Sequence, residues 1–181
     1  MGRARSALAV RASKESLCDA VLKAFSVKKD VAETFDEFDD VIDFCRAQSE
    51  ELGGKAGYDA WYIWRVGDWA ILGDLSLRLG QNPDVLARLS DGLGEVIFAS
   101  VDAFSGDACF AVYAQGRTRR LLMLEDDEVI EEGFPIPAEH GHFMDEFGDE
   151  ELERLWTSYG LPTLEVDPSN GPFDCVAFSI E

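Results

Sequence analysis

The stretch of residues 95–137 constrains the fold more than any other part of the chain. It reads EVIFASVDAFSGDACFAVYAQGRTRRLLMLEDDEVIEEGFPIP, with runs rich in Val, Ile, Leu and Phe separated by turn sequences at 105–107, 115–116 and 126–127. Short apolar runs separated by such turns are typical of antiparallel hairpins. The stretch therefore predicts a four-strand meander. The final Phe-Pro-Ile-Pro leaves the sheet, because proline cannot donate to a strand ladder.

Helical and strand patterns flank this meander. After Ser13, apolar residues at Leu17, Val21 and Ala24 follow the spacing of an amphipathic helix. Asn82 followed by Pro83 is a strong helix start. The remaining predictions are a strand at 7–12, a helix at 30–52 along Val31, Phe35, Phe38, Ile42 and Cys45, an aromatic hairpin at 58–74, a helix from 149 and a last strand at 173–180.

These elements predict an α+β protein with a mostly antiparallel sheet of five to seven strands and helices packed on one face. The length of 181 residues fits a single domain covering residues 1–181. Within it we distinguish a strand-plus-two-helix part at 1–54 from a sheet-containing core at 58–181.

The formal net charge of −20 is unevenly distributed. Residues 1–31 contain seven basic and three acidic side chains, whereas the rest of the chain contains nine basic and thirty-three acidic ones. A negative field of this size repels nucleic acid and attracts basic partners, although solubility alone also explains such a charge. The longest apolar runs fall short of a membrane span, so we expect no membrane partner.

Two acidic segments are candidates for a partner-binding surface. One is the acidic side of the 30–52 helix, for which a solvated face is the alternative interpretation. The other begins where the meander ends, and residues 125–153 contain thirteen acidic side chains and no lysine or arginine. The candidate partner-binding residues are Asp36, Asp39, Asp40, Asp126, Asp127, Glu128, Glu131 and Glu132.

Other constellations give weaker candidates. Trp61, Trp64 and Trp69 could form an aromatic platform, although such clusters more often belong to a core. His140 and His142 form a weak metal candidate, because an H-x-H pair alone is unspecific. No residue is assigned a catalytic role, and no cofactor is expected. The four cysteines lack a CxxC pair, so we expect reduced thiols in a cytoplasmic protein.

The helix-to-strand step at 82–101, the meander ending in acidic residues and Phe-Pro-Ile-Pro, and the acidic helix ending Tyr-Gly-Leu-Pro form a recognisable layout over residues 61–162. This layout resembles small, acidic, uncharacterised bacterial proteins, several of them immunity-like proteins of polymorphic toxin systems. The acidic segments and this resemblance together predict a non-enzymatic protein that occupies a basic protein partner such as a toxin. The alternative is a small enzyme or a ligand- or metal-binding domain that uses the tryptophan hairpin or the histidines. The sequence leaves the oligomeric state open.

Overall fold

The computed structural model describes residues 5–142 and 144–180, and it confirms the α+β class. Among these residues it has nine strands and four α-helices. In chain order they are β1 Arg5–Val10, α1 Lys14–Ala24, β2 Lys28–Phe35, α2 Phe38–Gln48, β3 Tyr58–Val66, β4 Trp69–Gly73, α3 Pro83–Leu93, β5 Val96–Val101, β6 Ala108–Ala114, β7 Arg117–Glu125, β8 Glu128–Gly133, α4 Asp149–Thr157 and β9 Phe173–Ser179.

All nine strands form one antiparallel sheet in the order β2-β9-β3-β4-β1-β5-β6-β7-β8. The predicted meander is confirmed as β5 to β8, and the aromatic hairpin as β3 and β4. The sheet is larger than the five to seven strands expected. The first strand, β1, lies at the centre of the sheet, so the N-terminal part and the core share one set of strand ladders.

The helices lie on both faces of the sheet, which corrects the prediction of a single covered face. On one face, which we call face A, α2 and α4 pack on side chains such as Ala9, Ile71 and Phe110. On the other, face B, α1 and α3 pack on side chains such as Leu8 and Phe98. Because neighbouring residues of a strand point to opposite faces, a sheet with two apolar faces requires cover on both sides.

The second helix is shorter than predicted. Residues 28–35 form strand β2, which pairs with β9, and α2 begins only at Phe38. Val31 and Phe35 both pack against the face A core. Residues four apart lie on one side of either a helix or a strand, so this spacing is compatible with both structures. The pairing with β9, far away in sequence, decides between them.

Two buried aspartates link the β3–β4 hairpin to the segment that follows it. Asp59 and Asp74 are fully buried, and the hydroxyl oxygen of Ser76 lies 2.7 Å from a carboxylate oxygen of each. Asp59 also accepts a hydrogen bond from Nε of Arg78 at 2.7 Å. A hydroxyl has one hydrogen to donate, so protonation of Asp74 allows both short contacts to be hydrogen bonds. Burial raises the pKa of Asp74 to about 6, while hydrogen bonds from Leu79 and Ser76 oppose that rise.

We predict that Asp74 makes stability depend on pH in mildly acid solution. Its folded-state pKa is raised, so its stabilising contribution is complete below pH 4 and is lost as pH rises through about 6. Relative to Asp74→Asn, the wild-type free energy of unfolding should fall by about 1 kcal/mol between pH 5 and pH 7. Urea denaturation of both proteins across this range measures the difference, and parallel pH profiles would contradict the assignment.

Candidate functional site

One edge of the sheet carries the candidate site. We call it the β8 edge and define it as residues 125–134, which comprise the β7–β8 turn, strand β8 and Phe134. β8 is the terminal strand, so one side of its backbone faces no other strand of the sheet. Ile130 is 43 % exposed and Phe134 is 89 % exposed, which is unusual for large apolar side chains. Unpaired backbone groups and exposed apolar side chains therefore lie side by side on this edge.

The pairing register assigns each β8 side chain to a face. Val129 and Glu131 pair with Leu124 and Leu122, and both of these leucines pack into the face A core. Directly paired residues lie on the same side of a sheet. The intervening residues Glu128, Ile130 and Glu132 therefore lie on face B. On that face, β8 presents one exposed isoleucine with one carboxylate on each side of it.

The turn that begins this edge carries several negative charges, and two of its residues have positive φ. Asp126 and Asp127 have φ values of 50° and 63°, between Glu125 and Glu128, which pair with each other. Two consecutive residues with positive φ form the turn that matches strand twist, and aspartate tolerates this region better than most non-glycine residues. All four side chains of the turn are exposed. The turn therefore directs four carboxylates into solvent.

Gly133 ends β8 and turns Phe134 outward. Its φ is +83°, and a Cβ at this position would lie 2.1 Å from the carbonyl oxygen of Arg119. A side chain here would both strain the backbone and collide with β7. Glycine thus allows β8 to stay paired up to its last residue while the next side chain points into solvent.

A buried arginine fixes the end of this edge. Arg120, on β7, is 1 % exposed, and its Nε and Nη2 atoms lie 2.8 and 2.5 Å from the carboxylate oxygens of Glu139. Nη2 also donates to Glu131 at 2.6 Å, and Nη1 lies 3.5 and 3.4 Å from the carbonyl oxygens of Glu132 and Gly133. Glu139 in turn accepts from the backbone N–H of Ile136 at 3.0 Å. The guanidinium therefore holds the segments before and after Phe134.

The structure divides the acidic tract 125–153 into two groups. Five carboxylates have local partners: Glu131 and Glu139 bind Arg120, Asp149 binds Arg5, Glu151 binds Arg154, and Glu153 accepts from the backbone of Leu164. Within the described part of the chain, the other eight have no hydrogen bond or ion pair. They are Glu125, Asp126, Asp127, Glu128, Glu132, Asp145, Glu146 and Glu150. Five of these eight belong to the β8 edge.

The other predicted acidic segment lies at the opposite edge of the sheet. Asp36 follows β2, while Asp39 and Asp40 lie in the first turn of α2. Eight inter-strand steps of about 4.8 Å separate β2 from β8, or roughly 38 Å along the sheet. Carboxylates at a helix N-terminus also stabilise the helix dipole. The eight predicted binding residues therefore form two separate surfaces, and Asp39 and Asp40 have a structural explanation.

The tryptophans of the hairpin belong to the core. Trp61 is 1 % exposed on face B, where its ring centroid lies 4.0 Å from that of Phe178. Trp64 is 2 % exposed on face A and stacks on Tyr62 at 5.4 Å. Trp69 is also buried, and the guanidinium of Arg11 lies 4.6 Å above its ring. These side chains are buried on opposite faces and form no exposed aromatic platform.

The two histidines lie in the segment that follows β8. Both are exposed, and Nδ1 of His142 lies 3.7 Å from a carboxylate oxygen of Glu151. Across residues 5–142 and 144–180, no group of three or more His, Cys, Asp or Glu side chains is arranged to hold a metal ion. Cys18, Cys45, Cys109 and Cys175 are present as free thiols.

The sequence interpretation missed three residues of this site. Arg120 and Ile130 were assigned only to the predicted meander, and Phe134 only to the Phe-Pro-Ile-Pro sequence at its end. The Phe-Pro-Ile-Pro sequence marked the end of the strand, because proline cannot donate to a strand ladder, but it gave no signal for the exposure of Phe134. The burial of Arg120 depends on Glu139, nineteen residues away, and had no local signal.

Comparison with protein-family models, with curated proteins and with solved structures gives no match. No helix among the described residues is both long enough and apolar enough to cross a membrane.

We predict that Arg120 stabilises this edge strongly. Arg120→Met leaves the carboxylate of Glu139 buried without its partner, which should lower the free energy of unfolding by about 3–5 kcal/mol. The matched control is Arg119→Met, because Arg119 is exposed on the same strand. This substitution should change the free energy of unfolding by less than about 0.5 kcal/mol.

Urea denaturation of the two single variants, and of Arg120→Met/Glu139→Met, measures these effects. The double variant should recover part of the loss, since it removes the unpaired charge. Equal destabilisation by the Arg119 and Arg120 variants would contradict the clamping role of Arg120.

Proposed function

We propose that this protein is a non-enzymatic acidic binding protein that occupies a basic protein partner through the β8 edge. An immunity-type inhibitor that neutralises a basic toxin in the cytoplasm is the form of this function that the sequence resemblance favours. The observation that carries the proposal is a combination on one open sheet edge. Five carboxylates that have no partner among residues 5–142 and 144–180 lie beside the exposed apolar side chains of Ile130 and Phe134.

The two kinds of side chain have different tasks in this proposal. The carboxylates of the 125–128 turn attract a basic partner over long range and raise the association rate. Ile130 and Phe134 supply apolar area that leaves water only when the partner is bound, and such contacts dominate binding free energy in most interfaces. The Arg120 contacts hold the backbone on both sides of Phe134 in place before the partner arrives.

We predict that neutralising the turn weakens binding while neutralising the opposite edge does not. The test variant is Asp126→Asn/Asp127→Asn/Glu128→Gln, in which asparagine keeps the positive φ of the turn available. The matched control, Asp36→Asn/Asp39→Asn/Asp40→Asn, removes the same number of charges. We take each of the three carboxylates to form one surface ion pair with the partner, worth about 0.5 kcal/mol. Loss of all three pairs raises the Kd of the test variant roughly tenfold.

The partner is identified by affinity capture on wild-type protein from the native host, followed by mass spectrometry, and Kd is then measured with purified partner at increasing salt. Screening predicts that affinity falls as salt rises. The proposal would be contradicted if no protein is captured, if the affinity of the complex does not depend on salt, or if the two variants lose affinity equally.

We also predict that Phe134→Ala weakens the same complex by at least tenfold, because alanine removes most of the apolar area that the partner covers. Phe104→Ala is the control, since Phe104 is 90 % exposed on the β5–β6 turn, at the opposite end of the strands from Phe134. Calorimetric titration with the purified partner compares the two variants. A larger loss for Phe104→Ala than for Phe134→Ala would place the binding surface elsewhere.

A further inference from the structure

We infer that the partner supplies an extended basic segment that pairs with β8 as a tenth strand of the sheet. This inference rests on the proposed function and specifies how the β8 edge is occupied. The segment carries lysine or arginine, an apolar residue, and a second lysine or arginine at alternate positions. The reasons are the open backbone of β8 and the order of side chains on its face B.

The backbone of β8 is available for strand addition. In an antiparallel ladder, alternate residues direct both backbone groups to the same side, so about half of the six β8 residues present N–H and C=O groups to the open edge. Five of the six residues of β8 are exposed, and only Val129 is partly buried. An incoming extended chain can therefore pair with the outward-facing groups that precede Gly133, whose carbonyl oxygen contacts Arg120, as in other cases of strand addition.

The side chains of β8 select the sequence of the incoming strand. On face B the order is Glu128, Ile130 and Glu132, spanning about 14 Å at 3.4 Å per residue. Side chains directly opposite on adjacent strands lie about 5 Å apart, and opposite charges stabilise the pair. A strand with the pattern basic-x-apolar-x-basic places each cation opposite a carboxylate. The pattern is symmetric, so it fits in both the parallel and the antiparallel direction.

The same charges disfavour a second copy of the chain on this edge. Antiparallel pairing of β8 with β8 from another copy places Glu128 opposite Glu132 twice, and like charges in that position are destabilising. Pairing with the opposite edge strand, β2, is also mismatched. Its face B residues are Lys29, Ala32 and Thr34, with only one cation, and the ladder is irregular between Lys29 and Val31. A basic strand from a different protein is the occupant that complements β8.

A synthetic peptide tests strand addition independently of the native partner. The probe is a fluorescent heptapeptide, TKTVTKT, and its control TTKKVTT has the same composition and charge but places its lysines side by side. Fluorescence anisotropy with the full chain at low salt should give a Kd at least about fivefold lower for the probe than for the control. Glu128→Gln/Glu132→Gln should abolish this preference, whereas Asp39→Asn/Asp40→Asn should keep it.

Two N-methylated forms of the probe, each methylated on alternate backbone amides, decide whether the backbone pairs. In strand addition one form directs its methyl groups at β8 and should lose binding by at least tenfold, while the other retains it. Unchanged binding of both forms would overturn strand addition and leave the acidic binding function standing. Absence of peptide binding, no preference over the control, or light scattering that gives a dimer without peptide would also overturn it. The proposed function is tested separately, by the affinity measurements on the complex with the native partner.

Discussion

The structure depends on the burial of both faces of one sheet. Every side chain from Ala7 to Val10 on the central strand β1 is buried, and so is every residue of its neighbour β4. Alternate residues of these strands enter two different cores, so helices are required on both sides. Two-sided burial leaves only the edges of the sheet open. Of the two edges, β8 combines exposed apolar side chains with unpartnered carboxylates.

At the β8 end of the sheet a polar contact takes the place of apolar packing. Arg120 lies on face A in line with Leu122, where the strand pattern calls for another apolar residue. Its guanidinium instead binds Glu139, Glu131 and two backbone carbonyls, which joins the meander to the segment at 134–140. A buried ion pair adds little net stability over apolar residues, but it fixes geometry, because each partner is costly to leave alone. Here the geometry it fixes is that of the backbone on both sides of Phe134.

The sequence was most informative where the signals are local. The meander, the aromatic hairpin and the Asn82–Pro83 helix start depend on turn chemistry and alternation within a few residues, and all three are confirmed. The helix at 30–52 was partly wrong, because Val31 and Phe35 fit a strand equally well and the choice depends on β9. The second covered face also depends on the complete sheet. At the site, the acidic turn at 126–128 could be seen in the sequence, whereas the roles of Arg120 and Phe134 depend on contacts across the fold.

Amide hydrogen exchange tests directly whether the β8 edge is the binding surface. The measurement compares the free protein with its complex with the captured native partner, residue by residue. If the β8 edge is the binding surface, exchange in the complex slows most at the β8 amides that face the open edge, while the β2 amides exchange as fast as in the free protein. Slowing confined to β2, α2 or the loop at 36–40, with β8 unchanged, would contradict it.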